Sequence, residues 1–226
     1  MSTLAPIALG LLAASCAKPA QETPATLASS SMPAPGVAEP AETAAARPEG
    51  AREVRQSNDL FEFAYSYPAA AGAVPDLKAQ LDAELDRQKA ELVKNAEEQR
   101  AERREAGFPY HPLGNWTEWK VVTDLPGWLS LSARFSDYQG GAHPNHGFAT
   151  LLWDRQANER RDPIDLFISK QALSQAIRKD FCAALDRERG KRRGEPVRPG
   201  STAEFDRCID PAESTVILGS SSGRAF

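Results

Sequence analysis

Two histidines lie close together in a glycine-rich segment near the middle of the chain. They are His143 and His146, and residues 138–147 read YQGGAHPNHG. An imidazole ring donates and accepts hydrogen bonds, and it is also a common ligand of zinc. The pair therefore suggests either a binding surface or a metal site.

The metal hypothesis needs a third protein ligand, because catalytic zinc sites use three. Asp137 or His111 is the candidate beside His143 and His146. A histidine pair in a glycine-rich turn is a poorly preorganised site, and no neighbouring residue is an evident general base. We therefore assign no catalytic residue, metal or cofactor, and a metal-dependent hydrolase or deacetylase of cell-wall glycan is the alternative.

The binding hypothesis rests on the exposed side chains of the same segment. Aromatic rings and amides offer flat apolar area and directed hydrogen bonds to a sugar or a protein groove. The binding candidates are Tyr138, His143, Asn145 and His146, with a nearby tryptophan. The turn-forming motif is Gly140, Gly141, Ala142 and Pro144, and a purely structural role for His143 in this turn is the competing interpretation.

The flanking residues predict a β-hairpin that presents this segment on its connection. Residues 129–136 alternate strictly between apolar and polar side chains, which is the period of a half-buried strand. Residues 148–153 are rich in the aromatic and aliphatic side chains that strands favour.

Further elements are predicted on both sides of the hairpin. The aromatic residues 61, 63, 65 and 67 share one face of a strand that Pro68 ends. A helix over 76–106 has an apolar stripe that fades after Val93, so we expect its end to project into water or fray. The remaining predictions are a strand over 116–124, a turn over 154–161, a helix over 170–186, a basic loop over 187–198, a short helix capped by Ser201 and a strand over 215–218. Together they predict an α+β fold, an antiparallel β-sheet packed by one long and one medium helix, preceded by a signal peptide and a disordered linker.

Composition excludes two classes of function. The chain has 226 residues and a formal net charge of −4, whereas a nucleic-acid-binding protein usually carries a strongly basic face. No stretch is apolar over the roughly eighteen residues that a membrane-spanning helix requires.

The N-terminus predicts an exported, lipid-anchored protein. A short apolar run over 4–15 precedes Cys16, and LAASC resembles a bacterial lipobox, in which the cysteine is lipidated. No Lys or Arg precedes the run, and Ala13 stands where leucine is commoner, so an ordinary apolar N-terminus is the alternative. We expect a signal peptide over 1–15 and an Ala/Pro-rich disordered tether over 16–55. Residue 17 is not Asp, which favours the outer membrane by the rule for enteric lipoproteins.

Two further cysteines, Cys182 and Cys208, are candidates for a disulfide. An oxidising periplasm allows them to pair, and the bridge would join the predicted helix over 170–186 to the short helix near Phe205. A buried unpaired couple and metal ligation are the alternatives.

Several of these features resemble two domains of bacterial envelope proteins. They are the early aromatic strand, the segment from Ser130 to Tyr138, the GGAHPN turn, Asp154, and the apolar residues 164–167 before Ser169. Residues 56–155 resemble the N-terminal domain of PdaC-type peptidoglycan deacetylases. Residues 160–226 resemble the C-terminal domain of RsiV-type anti-sigma factors, which are receptors for lysozyme.

The resemblance implies an α+β module without the catalytic part of the deacetylases. Their activity resides in a separate domain with an Asp-Asp pair and a His-x-x-x-His motif, and neither occurs in this sequence. It also implies that the second domain is incomplete at its C-terminus. We expect a non-enzymatic envelope module, anchored to the membrane at Cys16, that binds peptidoglycan glycan or a wall-directed protein such as lysozyme. A scaffold without a ligand is the third hypothesis.

Overall fold

The computed structural model of the chain describes residues 49–223 except Pro199 and Thr202. Cys16, the predicted signal peptide and most of the predicted tether lie outside the described residues. The last residues of the predicted tether instead belong to the first strand of the sheet, which begins at Arg52.

Six strands form one sheet in which spatial order follows chain order. The strands are β1 (Arg52–Ser57), β2 (Phe61–Tyr67), β3 (Leu113–Asp124), β4 (Trp128–Tyr138), β5 (Asn145–Asp154) and β6 (Glu159–Arg161). Neighbouring strands are antiparallel except β2 and β3, which are parallel because two helices, α1 (Ala69–Gly72) and α2 (Pro75–Glu105), connect them. A third helix, α3 (Lys170–Arg193), follows the sheet. The α+β fold with one long and one medium helix is confirmed.

The core lies between α2 and one face of the sheet. Phe61, Phe63, Tyr65 and Tyr67 of β2 are all buried, as their alternation predicted. The apolar stripe of α2 packs on them through Leu77, Leu81, Leu85 and Leu92. Pro75 begins the helix, and Gly107, in the left-handed region at φ +72°, follows its end.

The second half of α2 stays packed on the sheet, so the prediction that it projects into water or frays is wrong. Ala96 is fully buried, and Gln99 Nε2 donates to the backbone oxygen of Gln139, 3.1 Å away. Arg100 pairs with Asp59 at 3.0 Å and lies 6.0 Å from the ring centroid of Tyr110. In this half of α2, the small Ala96 and the polar contacts of Gln99 and Arg100 take the place of large apolar residues. The hydrophobic pattern of the sequence therefore did not indicate this packing.

A polar cluster fixes β1, which was not predicted, against α2. The carboxylate of Asp82 accepts hydrogen bonds from Arg52 at 2.7 Å, Tyr67 at 2.8 Å and Lys78 at 2.5 Å. Partial burial opposes ionisation of Asp82, but the hydrogen bonds and the positive charges outweigh it and hold the pKa of Asp82 below its ordinary value. The Tyr67 hydroxyl has a raised pKa, through burial first and its bond to Asp82 second.

The predicted hairpin is formed by β4 and β5. Their register runs from Trp128 opposite Asp154 to Asp137 opposite Asn145. Leu129, Leu131 and Ala133 are buried under α2, whereas Phe135, at the end of the same apolar row, is partly exposed. The predicted turn over 154–161 is wrong in part, because its last three residues form β6.

Helix α3 begins as predicted and ends later. The Ser169 hydroxyl caps its first turn by accepting a hydrogen bond from the Ala172 N–H at 3.0 Å. The helix continues through the first part of the predicted basic loop and ends at Gly194, whose φ is +78°. Arg, Glu and Lys are good helix formers, so a charged sequence after Asp186 did not have to be a loop.

For the C-terminal segment, the predicted short helix is confirmed only in part and the predicted strand is wrong. The helix predicted after Ser201 is a short 3₁₀ turn, Glu204–Asp206, whose N-cap is Ala203 without a side-chain cap. Residues 215–218 form no strand, although their exposure alternates as in an extended chain. Only isolated contacts hold this segment to the sheet, such as the bond from the Thr215 hydroxyl to the Phe148 carbonyl oxygen at 3.3 Å.

The predicted disulfide joins Cys182 on α3 to Cys208, with Cα atoms 5.5 Å apart. The Ser174 hydroxyl also donates to Asp210 at 2.5 Å, which fixes the C-terminal segment to α3 at a further point. Within the described residues, no helix combines the length and the apolar character needed to cross a bilayer.

Candidate functional site

The face of the sheet opposite α2 contains a shallow cleft of about 340 Å³. Strand side chains alternate between the two faces, so the residues of the cleft come from every second position of each strand. Small side chains, Ala64, Ser66 and Ser136, leave the depression, and larger ones surround it. We call this the open-face cleft. The side chains of its face are Arg55, Ala64, Ser66, Trp116, Glu118, Arg134, Ser136 and His146. Thr117 and Phe135 also border the cleft, but their side chains belong to the face that α2 covers, where Thr117 donates to Gln88.

The strand register places these residues in two parallel rows across five strands. The first row is Arg55, Ala64, Trp116, Ser136 and His146, each opposite the next. The second row is Glu53, Ser66, Glu118, Arg134 and Phe148. Backbone pairing therefore fixes the spacing of the residues that line the cleft.

Trp116 provides the largest apolar surface of the cleft. Its indole ring lies along β3 over Gly114, since a Cβ atom built on Gly114 would lie only 1.9 Å from Trp116 Cη2. Any other residue at position 114 would displace the ring. The indole is only half-buried, so part of it faces solvent beside Ala64 and Ser136. A flat exposed ring of this kind stacks on the apolar face of a sugar or on a planar side chain.

The charged groups of the cleft differ in whether they are already paired. Arg55 Nε donates to the carboxylate of Glu53, two residues earlier on β1. Glu118 pairs with Lys120 on β3 at 3.1 Å. Arg134 lies opposite Glu118 in the register and is exposed, but its side chain forms no ion pair or hydrogen bond with any residue in the described part of the chain. Its guanidinium is therefore available to a ligand beside the indole.

His146 and Tyr138, two of the predicted binding residues, share the face of the cleft. His146 is exposed and lies opposite Ser136, at the end of the first row. Tyr138 is half-buried and pairs with Gly114, directly beside the Trp116 ring. The structure thus brings these two side chains to Trp116.

Asn145 lies on the other face. Its side chain donates to Asp137 Oδ2 at 3.3 Å, across the last pair of the hairpin. Because Asn145 and His146 are consecutive in a strand, they point to opposite sides of the sheet. Asn145 therefore contributes to the end of the hairpin and not to the cleft.

His143 lies in the turn between β4 and β5, exposed, with its Nδ1 3.2 Å from the Pro144 carbonyl oxygen. Of the two central glycines, only Gly140 has a positive φ, +81°. A Cβ atom on Gly140 would also approach Gln99 Oε1 to 2.9 Å, whereas one on Gly141 would meet nothing within 4 Å. The bond from Gln99 to Gln139 fixes this turn to α2.

The arrangement does not support the three-ligand metal hypothesis. Over residues 49–223 apart from the two undescribed positions, no three His, Cys, Asp or Glu side chains form a group suited to a metal ion. His143, His146 and Asp137 are separated by the turn and by the two faces of the sheet, and His111 lies on the segment after α2.

Sequence reasoning missed Trp116, Glu118 and Arg134 as members of this site. The first two belong to a predicted strand and the third to the hairpin, but their proximity depends on the pairing of β3 with both β2 and β4. The alternation of apolar and polar residues indicates that all three face away from the apolar row, and this is the sequence signal that could have placed them on one face.

Comparison with curated proteins finds no match. Among solved structures, one similar chain is a member of the DUF3298 family from Bacteroides fragilis, with 16% identity, a TM-score of 0.38 and coverage of 64% of this chain and 68% of that chain. Another is a DUF3298 family protein from Pseudomonas aeruginosa, with 15% identity, a TM-score of 0.30 and coverage of 61% and 70%.

A family model matches the part of the chain that forms the cleft. The matched segment begins within β1 and ends at His146, so it includes the whole lining from Arg55 onward. Residues 54–146 of this chain match the family described as deacetylase PdaC.

Proposed function

We propose that this chain is a non-enzymatic, lipid-anchored module of the bacterial envelope whose open-face cleft binds the glycan of the cell wall. One observation carries the proposal: the half-exposed indole of Trp116 lies flat along the sheet beside small side chains and an unpaired arginine. Carbohydrate sites combine such a ring with a few polar groups that fix the orientation of the sugar.

The form of the cleft suits an extended polymer better than a small enclosed ligand. It is shallow and open, and it spans five strands from Arg55 to His146. A chain of sugars can lie across the rows, with one ring on Trp116 and its hydroxyl groups near Ser136, Glu118 and Arg134. Tyr138 and His146 then provide contacts at the hairpin end of the cleft.

We assign binding rather than hydrolysis to this module. The matched family is described as a deacetylase, but the cleft contains one histidine and no group of metal ligands. The charged groups that line it are paired, except Arg134, and an arginine is always protonated and is no general base.

The lipid anchor completes the proposal. Acylation of Cys16 would hold the module at a membrane, and residue 17 favours the outer membrane. Metabolic labelling with a fatty acid tests this part separately. We expect label in the wild-type chain and none in Cys16→Ser.

Sedimentation with purified peptidoglycan sacculi tests the binding function. We expect the full chain to sediment with sacculi and Trp116→Ala to remain largely in solution. Phe108→Ala is the matched control, because Phe108 is an exposed aromatic residue outside the cleft. Retention of the Trp116 variant on sacculi would contradict the proposal.

A parallel pull-down on immobilised lysozyme separates a wall-directed protein from the glycan. Binding to lysozyme alone would assign the module to a protein ligand. Binding to neither would leave the scaffold hypothesis.

A further inference from the structure

The last turns of α3 and the segment after them form a surface of opposite charge to the rest of the chain. Residues 187–207 contain seven Lys and Arg against four Asp and Glu, while the whole chain has a net charge of −4. The basic residues were predicted to lie in a solvated loop, but most of them lie on a helix that ends at Gly194. Their positions relative to one another are therefore fixed.

Two arginines of α3 hold the following segment in place. Arg189 donates to the carbonyl oxygens of Asp206 at 2.9 Å and Arg207 at 3.0 Å. Arg193 donates to the Phe205 carbonyl oxygen at 3.0 Å and pairs with the Asp206 carboxylate. With the disulfide at Cys208, these bonds fix residues 205–208 against the helix end.

Three other cations of this surface form no close ion pair within the described residues. Arg192, Arg198 and Arg207 are exposed, and none forms an ion pair with another residue that the structure describes. Arg207 follows Asp206 directly in the sequence. The backbone of Arg198 is linked to Asp206 by Ser201, whose N–H donates to the Arg198 carbonyl oxygen and whose hydroxyl donates to the Asp206 carboxylate. The carboxylate of Asp206 is occupied by Arg193 and Ser201, so it does not neutralise these three guanidinium groups.

Two large apolar side chains lie on the same short segment as Arg207. Phe205 is 79% exposed although its carbonyl group is fixed by Arg193, and Ile209 is 49% exposed next to the disulfide. A bilayer interface favours this combination, since aromatic residues insert at the headgroup level and Lys and Arg contact lipid phosphates.

We propose that this surface, defined by Arg192, Arg198, Arg207, Phe205 and Ile209, binds an anionic lipid bilayer. The free cations are complementary to negatively charged headgroups, and Phe205 with Ile209 enters the interface between them. The contact supplements the lipid anchor proposed at Cys16 and lies on a different element from the open-face cleft. It fixes the orientation of the module on the membrane, which acylation at Cys16 alone does not do.

Vesicle sedimentation of the full chain carrying Cys16→Ser tests the contact without the acyl chains. The probes are vesicles of pure phosphatidylcholine and of equal parts phosphatidylcholine and phosphatidylglycerol. We expect sedimentation with the anionic vesicles alone, and weaker sedimentation as salt is raised. Arg192→Gln with Arg207→Gln should lower the partition coefficient roughly tenfold or more. Phe205→Ser should lower it as well.

The matched control removes two arginines from the last turn of α2, Arg103→Gln with Arg104→Gln. We expect it to bind anionic vesicles like the parent chain. Equal loss in both double variants would mean that net charge alone governs binding and would overturn the proposal. So would absence of binding to anionic vesicles, equal binding to both vesicle types, or full binding by Phe205→Ser. The salt dependence of the parent chain is a test that does not require any of these substituted chains to fold. Vesicle binding is measured without glycan, so its outcome is independent of the proposed glycan binding.

Discussion

Trp116 and Arg134 are the residues on which the binding proposal depends, and both derive their role from their neighbours. Gly114 leaves room for the indole to lie along the strand. Glu118 is paired with Lys120, which leaves Arg134 uncommitted. Trp116 is therefore available to a ligand because its neighbour has no side chain, and Arg134 is available because its neighbour is already paired.

Gly140 and Gly141 are neighbours in sequence but differ in conformational demand. Gly140→Ala should lower the free energy of unfolding by about 1–2 kcal/mol, because an alanine resists the left-handed region. The close approach to Gln99 adds to this cost. Gly141→Ala is the control and should change stability by less than about 0.5 kcal/mol. Urea unfolding measures both, and equal effects would contradict the assigned turn geometry.

Asp82 gives the fold a dependence on pH. Its pKa is lowered in the folded state, so its contribution to stability is complete above the unfolded pKa, near 3.8, and is lost as the pH falls through the lowered folded value. Asp82→Asn should cost about 1–2 kcal/mol at neutral pH and much less in acid.

Unfolding at neutral and acid pH checks this difference between Asp82→Asn and the parent chain. Asp86→Asn is the matched control, since Asp86 lies exposed on the same helix. An Asp82→Asn effect that is the same at both pH values would show that the carboxylate charge contributes nothing.

At the scale of elements, local patterns predicted the central strands and α2 but not the edges of the sheet. The apolar alternation of β2 and β4 and the stripe of α2 each indicate a buried face directly. In contrast, β1 reads REVRQS and β6 reads ERR, and their strand conformation results from pairing with β2 and β5. Residues 215–218 show the reverse case, since an apolar β-branched sequence forms no strand where no neighbour pairs with it.

The candidate site, too, was predicted only where local sequence patterns determine the structure. The hairpin and its turn follow from local sequence, so Tyr138 and His146 could be predicted as binding candidates. Trp116 and Arg134 join them only through the β3–β4 register, which includes a bulge between Val121 and Thr123 that no local pattern indicates. Asn145 was predicted as a binding candidate of the connection, but it is the first residue of β5, and the exact start of that strand decides which face it occupies.

The disulfide connects α3 to a segment with little regular structure of its own. Replacing Cys182 and Cys208 with alanine should release residues 203–213 from α3 while the sheet remains folded. On the chain-entropy model a loop of 26 residues is worth about 3–4 kcal/mol. We therefore expect amide exchange to accelerate roughly a hundredfold in this segment.

Amides of β2 and β4 are the internal control for that exchange experiment. Their rates should stay unchanged, because α2 and the core residues lie away from the bridge. Acceleration of β2 and β4 to the same degree would show that the disulfide stabilises the whole fold.

For the whole molecule, the arrangement separates stability from binding. One face of the sheet is covered by α2 and contains the core, and the opposite face carries the open-face cleft between β1 and β5. Substitutions in the cleft should therefore change ligand affinity without large changes in stability. The basic surface at the end of α3 is a third, independent region.

Calorimetric titration of soluble peptidoglycan fragments into the full chain and into Trp116→Ala tests the central claim most directly. Burial of an aromatic ring is worth about 1.5–3 kcal/mol, so the substitution should weaken binding about tenfold or more. Phe108→Ala should bind like the parent chain, and all three chains should unfold at similar denaturant concentrations. Equal affinity of Trp116→Ala and the parent chain would contradict the assignment of the cleft as the glycan-binding site.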